Sequence, residues 1–168
     1  MDVLVIRHGI AGDRETFAVT GKDDRLRPLT AKGRRKLREG ARGLSAVVQA
    51  LDLVASSPLV RAVQTARIVA RAYDRVPVIE IPELEPDQGP EPFAEWLAQR
   101  SESVLAAVGH EPMLSLMVSF LLAGRPGSFL ELKKGAACLV TFPAGVEPGA
   151  GVLRWMLPPK ALSALGAA

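Results

Sequence analysis

The sequence predicts an α/β fold with a mostly parallel central sheet, and three observations carry that expectation. Short apolar runs at residues 3–6, 53–56, 76–81 and 104–108 have strand length. Segments with apolar residues three and four apart separate them, as helices would. The first run, Val3-Leu4-Val5-Ile6, is continuous rather than alternating, which marks a strand covered on both faces.

Residues 3–6 predict the first strand. Residues 9–29 are polar, with Gly12, Gly21 and Pro28, and are expected to form a long loop, a kind of segment often used for function. Thr30 is suited to cap the following helix, where Leu37, Ala41, Leu44, Val48 and Leu51 make one apolar stripe. Gly33, Gly40 and Gly43 weaken that helix and leave its ends open. Residues 53–56 predict the second strand, closed by Ser57-Pro58, and Ala62, Ala66, Val69 and Tyr73 the next helix. A third strand at 76–81 leads into residues 82–92, expected as a loop because it holds four prolines and an acidic cluster. A short helix at 93–99 precedes the fourth strand at 104–108, which ends at Gly109-His110. An apolar helix is expected at 112–122, with Pro112 in its first turn. Residues 137–142 and 152–157 predict a hairpin across a Gly/Pro-rich turn, and 158–168 a loosely attached end. No linker or repeat divides the chain, so one domain over 1–168 is expected.

Composition narrows the function classes. Hydrophobic residues make up 48% and charged residues 23%, which excludes global disorder. Cys138 is the single cysteine, so no intrachain disulfide can form. His8 and His110 are the two histidines, too few for a His-rich metal site. Net charge is +3, but residues 1–50 carry 11 Lys and Arg against 6 Asp and Glu, while the remainder carries 10 against 12. A basic N-terminal third suits a nucleic acid, an anionic membrane or an anionic small substrate. Aromatics are 5% and no basic stretch is interleaved with them, which argues against nucleic acid. No run approaches the ~18 apolar residues of a membrane span, and the N-terminus lacks a signal peptide's basic start. A soluble cytoplasmic protein without membrane partner is expected.

Three predicted strands end in chemically capable residues: Arg7-His8-Gly9, then Ser57-Pro58 with Arg61, then Gly109-His110-Glu111. In parallel sheets ligands bind beyond the carboxyl ends of strands. If these strands are neighbours, both histidines and two arginines meet on one rim. Arginine binds phosphate through its planar fork, and a neutral imidazole is a nucleophile toward phosphorus. Phosphoryl transfer needs mainly positioning and positive charge, which Arg7, Arg61 and a protonated His110 would supply. Gly9, without a Cβ, would let the backbone approach the ligand. No GxSxG elbow, P-loop or dinucleotide fingerprint occurs, and zinc would need further ligands.

These residues, with Gln64-Thr65-Ala66, Arg27-Pro28-Leu29-Thr30 and Pro82-Glu83-Leu84, resemble the histidine phosphatase superfamily from Met1 to about Leu157. The chain looks like its short SixA-type phosphohistidine phosphatase branch. The resemblance implies a phosphoglycerate-mutase-like three-layer sandwich and a phosphatase with no metal or other cofactor. His8 would be the nucleophile, with its second ring nitrogen held by a backbone carbonyl. Arg7, Arg61 and His110 would clamp the phosphoryl group, and the backbone N–H of Glu111, at a helix start, could add a donor.

The general acid is the departure from the wider family. Glu83, Glu85 and Asp87, or Asp13 and Asp24 in the first loop, are candidates that spacing does not separate, and Glu83 is the one carried forward. Imidazole, with a pKa near ~6.5, leaves far more easily than an alkoxide, so a weak acid favours a P–N or anhydride substrate. Of these, the SixA-type resemblance implies protein phosphohistidine as the substrate. A small or polymeric phosphate such as polyphosphate is the enzymatic alternative, and a phosphate-binding module without turnover the non-enzymatic one. The loop cations Arg14, Lys22, Arg25 and Arg27 are expected to line the site's mouth and steer an anion toward it. Arg34, Arg35, Lys36 and Arg38 read as one solvated helix face.

Overall fold

In a computed structural model, which describes residues 1–127 and 129–167, the strands β1 (Asp2–Arg7), β2 (Leu53–Ser56), β3 (Val78–Glu80), β4 (Val104–Gly109), β5 (Ala137–Thr141) and β6 (Val152–Leu157) form one sheet. Their order is β3-β2-β4-β1-β5-β6. The first four are mutually parallel, β5 runs antiparallel to β1, and β6 pairs antiparallel with β5 as the expected hairpin. The described helices are α1 (Arg14–Ala18), α2 (Ala31–Val47), α3 (Val60–Arg71), α4 (Pro90–Ala98), α5 (Met113–Ala123) and α6 (Pro159–Leu165).

The continuous run of β1 is explained by its two covered faces. Val3 and Val5 pack with Phe93, Leu97, Met113 and Met117 of α4 and α5. Leu4 and Ile6 point the other way, against Leu44, Ala62, Ala66 and Leu162 of α2, α3 and α6. All four are essentially inaccessible to water, each contributing about 1.5–3 kcal/mol on burial. The expected three-layer arrangement follows from this alternation. Cys138, in β5, is buried among the first cluster, and burial pushes its thiol up to about 12.

Several local expectations are corrected. The first loop holds structure of its own: α1 is capped by Asp13, and a 3-10 turn at Asp24–Leu26 is capped by Asp23. The proline-rich stretch likewise contains a 3-10 turn at Pro82–Leu84 and the start of α4 at Pro90, where a missing N–H costs nothing. Pro112 caps α5 from outside rather than entering its first turn.

Thr30 does cap α2, its Oγ1 accepting from Gly33 N–H at 2.9 Å. Two of the three glycines of α2, Gly33 and Gly43, are contact positions rather than weak points. A Cβ at Gly33 would lie 2.1 Å from the Ile10 carbonyl oxygen, and one at Gly43 only 1.8 Å from that of Leu162. The second of these contacts overturns the expectation of a loose tail. Residues 159–165 form α6, which packs on α2 through the buried Leu162 and the Gly43–Gly166 approach. Ala168, the last residue of the segment expected to be loose, lies outside the described residues.

Candidate active site

The strand register brings the sequence-predicted residues together. Arg7 pairs across from Gly109, and Ser56 from Val108, so β1, β4 and β2 end level with one another. The ladder continues one step further, with His8 N–H donating to Gly109 O at 3.1 Å and Ser57 N–H to Val108 O at 2.9 Å. His8 and His110 therefore leave adjacent strands side by side, their rings 5.0 Å apart and tilted by 54°. Both are buried, as is Arg61 on the first turn of α3. Among the described residues, no group of three or more His, Cys, Asp and Glu side chains is placed to hold a metal ion.

The His8 tautomer follows from one hydrogen bond. Nδ1 lies 2.7 Å from Gly9 O, and a carbonyl only accepts, so Nδ1 carries the proton. Nε2 is left with its lone pair, the form that can attack phosphorus. Desolvation, opposed by the Gly9 bond and reinforced by Arg61, Arg7 and Lys134, lowers His8 to about 4, so the ring is neutral near pH 7. His110 is lowered further, to about 3, by desolvation first and then by His8, Arg61, Arg27 and Arg7. This corrects the expectation of a protonated His110. Its ring is neutral near pH 7, with Nε2 2.8 Å from the buried Ser57 Oγ.

The two arginines are held by main-chain oxygens. Arg7 Nη1 donates to Leu132 O at 2.6 Å, and Arg61 Nη1 to Asp24 O at 3.0 Å. Among the described residues, neither buried Nε–H has a hydrogen-bond partner, and neither does His110 Nδ1. Unpartnered buried polar atoms are rare in folded proteins, and their concentration on site residues marks a place built for a polar ligand. Thr65 joins the parts. Its Oγ1 accepts from Gly9 N–H at 3.1 Å and donates to Arg61 O at 2.7 Å, tying the His8 loop to α3.

The first loop contributes more than steering. The Asp24 carboxylate lies 3.3 Å from Arg61 Nη1 and 2.7 Å from Arg27 Nε. Its bond to Arg27 holds that carboxyl below the usual range. Arg27 also donates to Gly12 O at 2.7 Å. Of the four loop cations expected at the mouth, Arg27 and Arg14 act electrostatically on Arg61, whereas Arg25 is paired with Glu85 and Lys22 is exposed. Ser57, Thr65 and Asp24 were not singled out as positioning residues by sequence. Thr65 had a readable signal, standing four residues after Arg61 on one helix face.

Glu111 and Glu83 need separate accounts. Pro112 is the N-cap of α5, so Glu111 precedes the helix rather than starting it. The Glu111 carboxylate accepts from Ser115 Oγ at 2.6 Å and from Leu132 N–H at 2.8 Å, so its side chain joins α5 to the segment that holds Arg7. Glu83 sits in the 3-10 turn after β3, with one buried carboxylate oxygen that has no hydrogen-bond partner among the described residues. That turn packs on the strand carrying His110, since a Cβ built on Gly109 would lie 3.4 Å from Leu84 O.

Two buried imidazoles, a buried Arg61 and a half-buried Arg7, at or just past parallel strand ends, define a phosphoryl-binding class of site. The comparisons with known proteins agree. Residues 3–86 match the model of the histidine phosphatase superfamily (branch 1). An uncharacterized protein of Picosynechococcus sp. is 34% identical over 137 residues, covering 80% of this chain and 81% of its own. The structure of the protein histidine phosphatase SixA complexed with tungstate superposes with a TM-score of 0.81 at 26% identity, covering 96% of this chain and 99% of that one. The alpha-ribazole phosphatase from Shigella flexneri shares the fold, with a TM-score of 0.70 at 23% identity over 95% and 97% of the two chains. The chain belongs to the histidine phosphatase superfamily, with the phosphoglycerate-mutase-like fold in its SixA-type form. Phosphatase is its activity class.

Proposed function

We propose that the protein hydrolyses protein phosphohistidine through a phosphohistidine intermediate on His8, without a metal. The observation that carries this reading is the 2.7 Å contact from His8 Nδ1 to Gly9 O, which leaves Nε2 unprotonated beside His110 and the two arginines. Nε2 attacks the phosphorus as the bond to the leaving group breaks, and the bonding pair departs with that group. Arg7 and Arg61 balance the charge on the equatorial oxygens. His110 donates a hydrogen bond, and the arriving dianion opposes the burial and neighbouring cations that keep its ring neutral. A Cβ at Gly9 would meet Leu29 and Leu37 at 3.4 and 3.5 Å, so its bareness, expected to admit the ligand, serves packing instead, and Glu111 N–H adds a donor. Water then attacks phospho-His8, releasing phosphate and restoring the neutral ring.

Glu83 is assigned the proton delivered to the leaving group, supported by its partly buried carboxylate on the turn against Gly109. An imidazole leaving group makes the smallest demand on that acid, which favours phosphohistidine over a sugar phosphate. The likeness, at 26% identity, to a SixA described as a protein histidine phosphatase supports the same choice.

The test compares turnover of a phosphohistidine protein, short polyphosphate, a sugar phosphate and an aryl phosphate, by wild type and His8→Ala, with and without EDTA. The phosphohistidine protein is expected to be the best substrate, His8→Ala to be inactive yet folded, and EDTA to change nothing. Preference for the sugar phosphate would overturn the substrate, and activity in His8→Ala the mechanism.

A further inference from the structure

Beside the site, and sharing Gly9 with it, lies a cavity of about 330 Å³ whose other walls the phosphoryl chemistry does not use. It is bounded by α2, α6 and the Lys134-Gly135 turn. Gly135 N–H donates to the carbonyl oxygens of both Arg7 and His8 at 3.1 Å, so the cavity wall is continuous with the backbone of the candidate nucleophile. Lys134 is close enough to His8 to lower its proton affinity.

The lining has a definite character. Ile10, Leu37 and Pro159 supply apolar wall, while Lys36, Lys134 and Lys160 set three positive charges against the single carboxylate of Glu39. The three lysines are exposed side chains on three separate segments, so their convergence is a tertiary feature. Lys36, expected from sequence on a merely solvated helix face, is one of the three.

Gly40 gives an independent sign that the space is kept. It is buried within α2, where glycine is unfavourable relative to alanine. Gly33 and Gly43 are required by backbone contacts far closer than a Cβ allows, but a Cβ at Gly40 would meet only the Leu162 Cβ, at an ordinary 3.7 Å. Packing does not demand glycine there. What a side chain at position 40 would occupy is the cavity it lines.

We propose that this cavity seats an acidic, partly apolar peptide segment of the protein whose phosphoryl group reaches His8. The inference rests on the reading of the chain as a protein phosphohistidine phosphatase. Charge complementarity selects the acidic character, and the aliphatic walls select a peptide over polyphosphate. A chain of phosphates is better served by arginine forks and main-chain N–H groups than by leucine and proline.

Two synthetic phosphohistidine peptides of equal length test it, one flanked by Leu and Glu and the other by Leu and Lys. Each is assayed with wild type, with Lys36→Glu/Lys160→Glu and with Gly40→Ala, using p-nitrophenyl phosphate and short polyphosphate as references. Wild type is expected to favour the acidic peptide about tenfold in kcat/KM, the size of two or three rim charge pairs. The lysine reversal should erase or invert that preference, and Gly40→Ala should weaken both peptides, with aryl phosphate turnover unchanged in each variant. Equal use of the two peptides by wild type, or equal loss on every substrate in the reversal, would overturn the proposal. So would a loss confined to polyphosphate, which would assign the cavity to a polyanion. Turnover of the aryl phosphate with neither peptide hydrolysed would instead overturn the phosphohistidine reading on which it rests.

Discussion

Lowering the pH from 7 to 5 is expected to cost the native state about 3–4 kcal/mol through two residues. His8 is lowered to about 4 and His110 to about 3, mainly because each ring is buried. In the unfolded chain an imidazole titrates near ~6.5. Between these values the unfolded state binds protons that the native state refuses. The stabilisation is therefore complete above about pH 6.5 and is lost as the pH falls toward the folded values. At pH 5 both native rings are still neutral while both unfolded ones are charged, and linkage gives about 2 kcal/mol for each. The carboxylates of Asp24 and Glu102, held low by arginine partners, lose their stabilisation at lower pH and leave this window to the histidines. Urea unfolding followed by circular dichroism at pH 7 and pH 5 measures the loss, in wild type and in His8→Asn/His110→Asn. Equal stability of the wild type at the two pH values would refute the reasoning. So would an undiminished loss in the double variant.

Other outcomes follow from single contacts. Gly43→Ala is expected to destabilise the fold by about 2–3 kcal/mol, because its Cβ would strike the Leu162 carbonyl at the α2–α6 contact. Gly40→Ala, three residues earlier, is expected to stabilise it by about 0.5–1 kcal/mol, and thermal unfolding of both checks the contrast. Asp24→Asn removes a carboxylate 3.3 Å from Arg61 while the Asp24 carbonyl still holds that guanidinium. Tungstate is then expected to inhibit about fivefold more tightly, since a like charge of ~1 kcal/mol no longer competes; weaker inhibition would show that the carboxylate helps assemble the site.

The legible parts of the fold were those with strong local chemistry. The apolar run of β1, the cap at Thr30 and the hairpin of β5 and β6 each follow from a few neighbouring residues. The tail was misread because its small residues look unspecific in isolation. Their smallness is what lets Gly166 approach Gly43, a contact between residues 123 positions apart. The first loop was misread for a related reason. Asp13 and Asp23 cap short helical turns, which are too brief to show a period. The charge state of His110 was misjudged because sequence carries no measure of desolvation, which is the largest cause of its shift.

By itself the sequence determined the chemical parts of the site: two histidines and two arginines, each at or just beyond the end of a predicted parallel strand. It determined them because strand ends are local, written in the switch from apolar run to glycine or proline. Tertiary structure decided which ends are neighbours. With β4 inserted between β1 and β2, His8 and His110 stand 5.0 Å apart and Ser57 reaches the second ring. Tertiary structure also decided that both rings are neutral, that Asp24 shares Arg61, and that three lysines from distant segments converge on one cavity. Proton affinity depends on the whole surrounding volume, and convergence on chain topology, neither of which a residue's own neighbours encode.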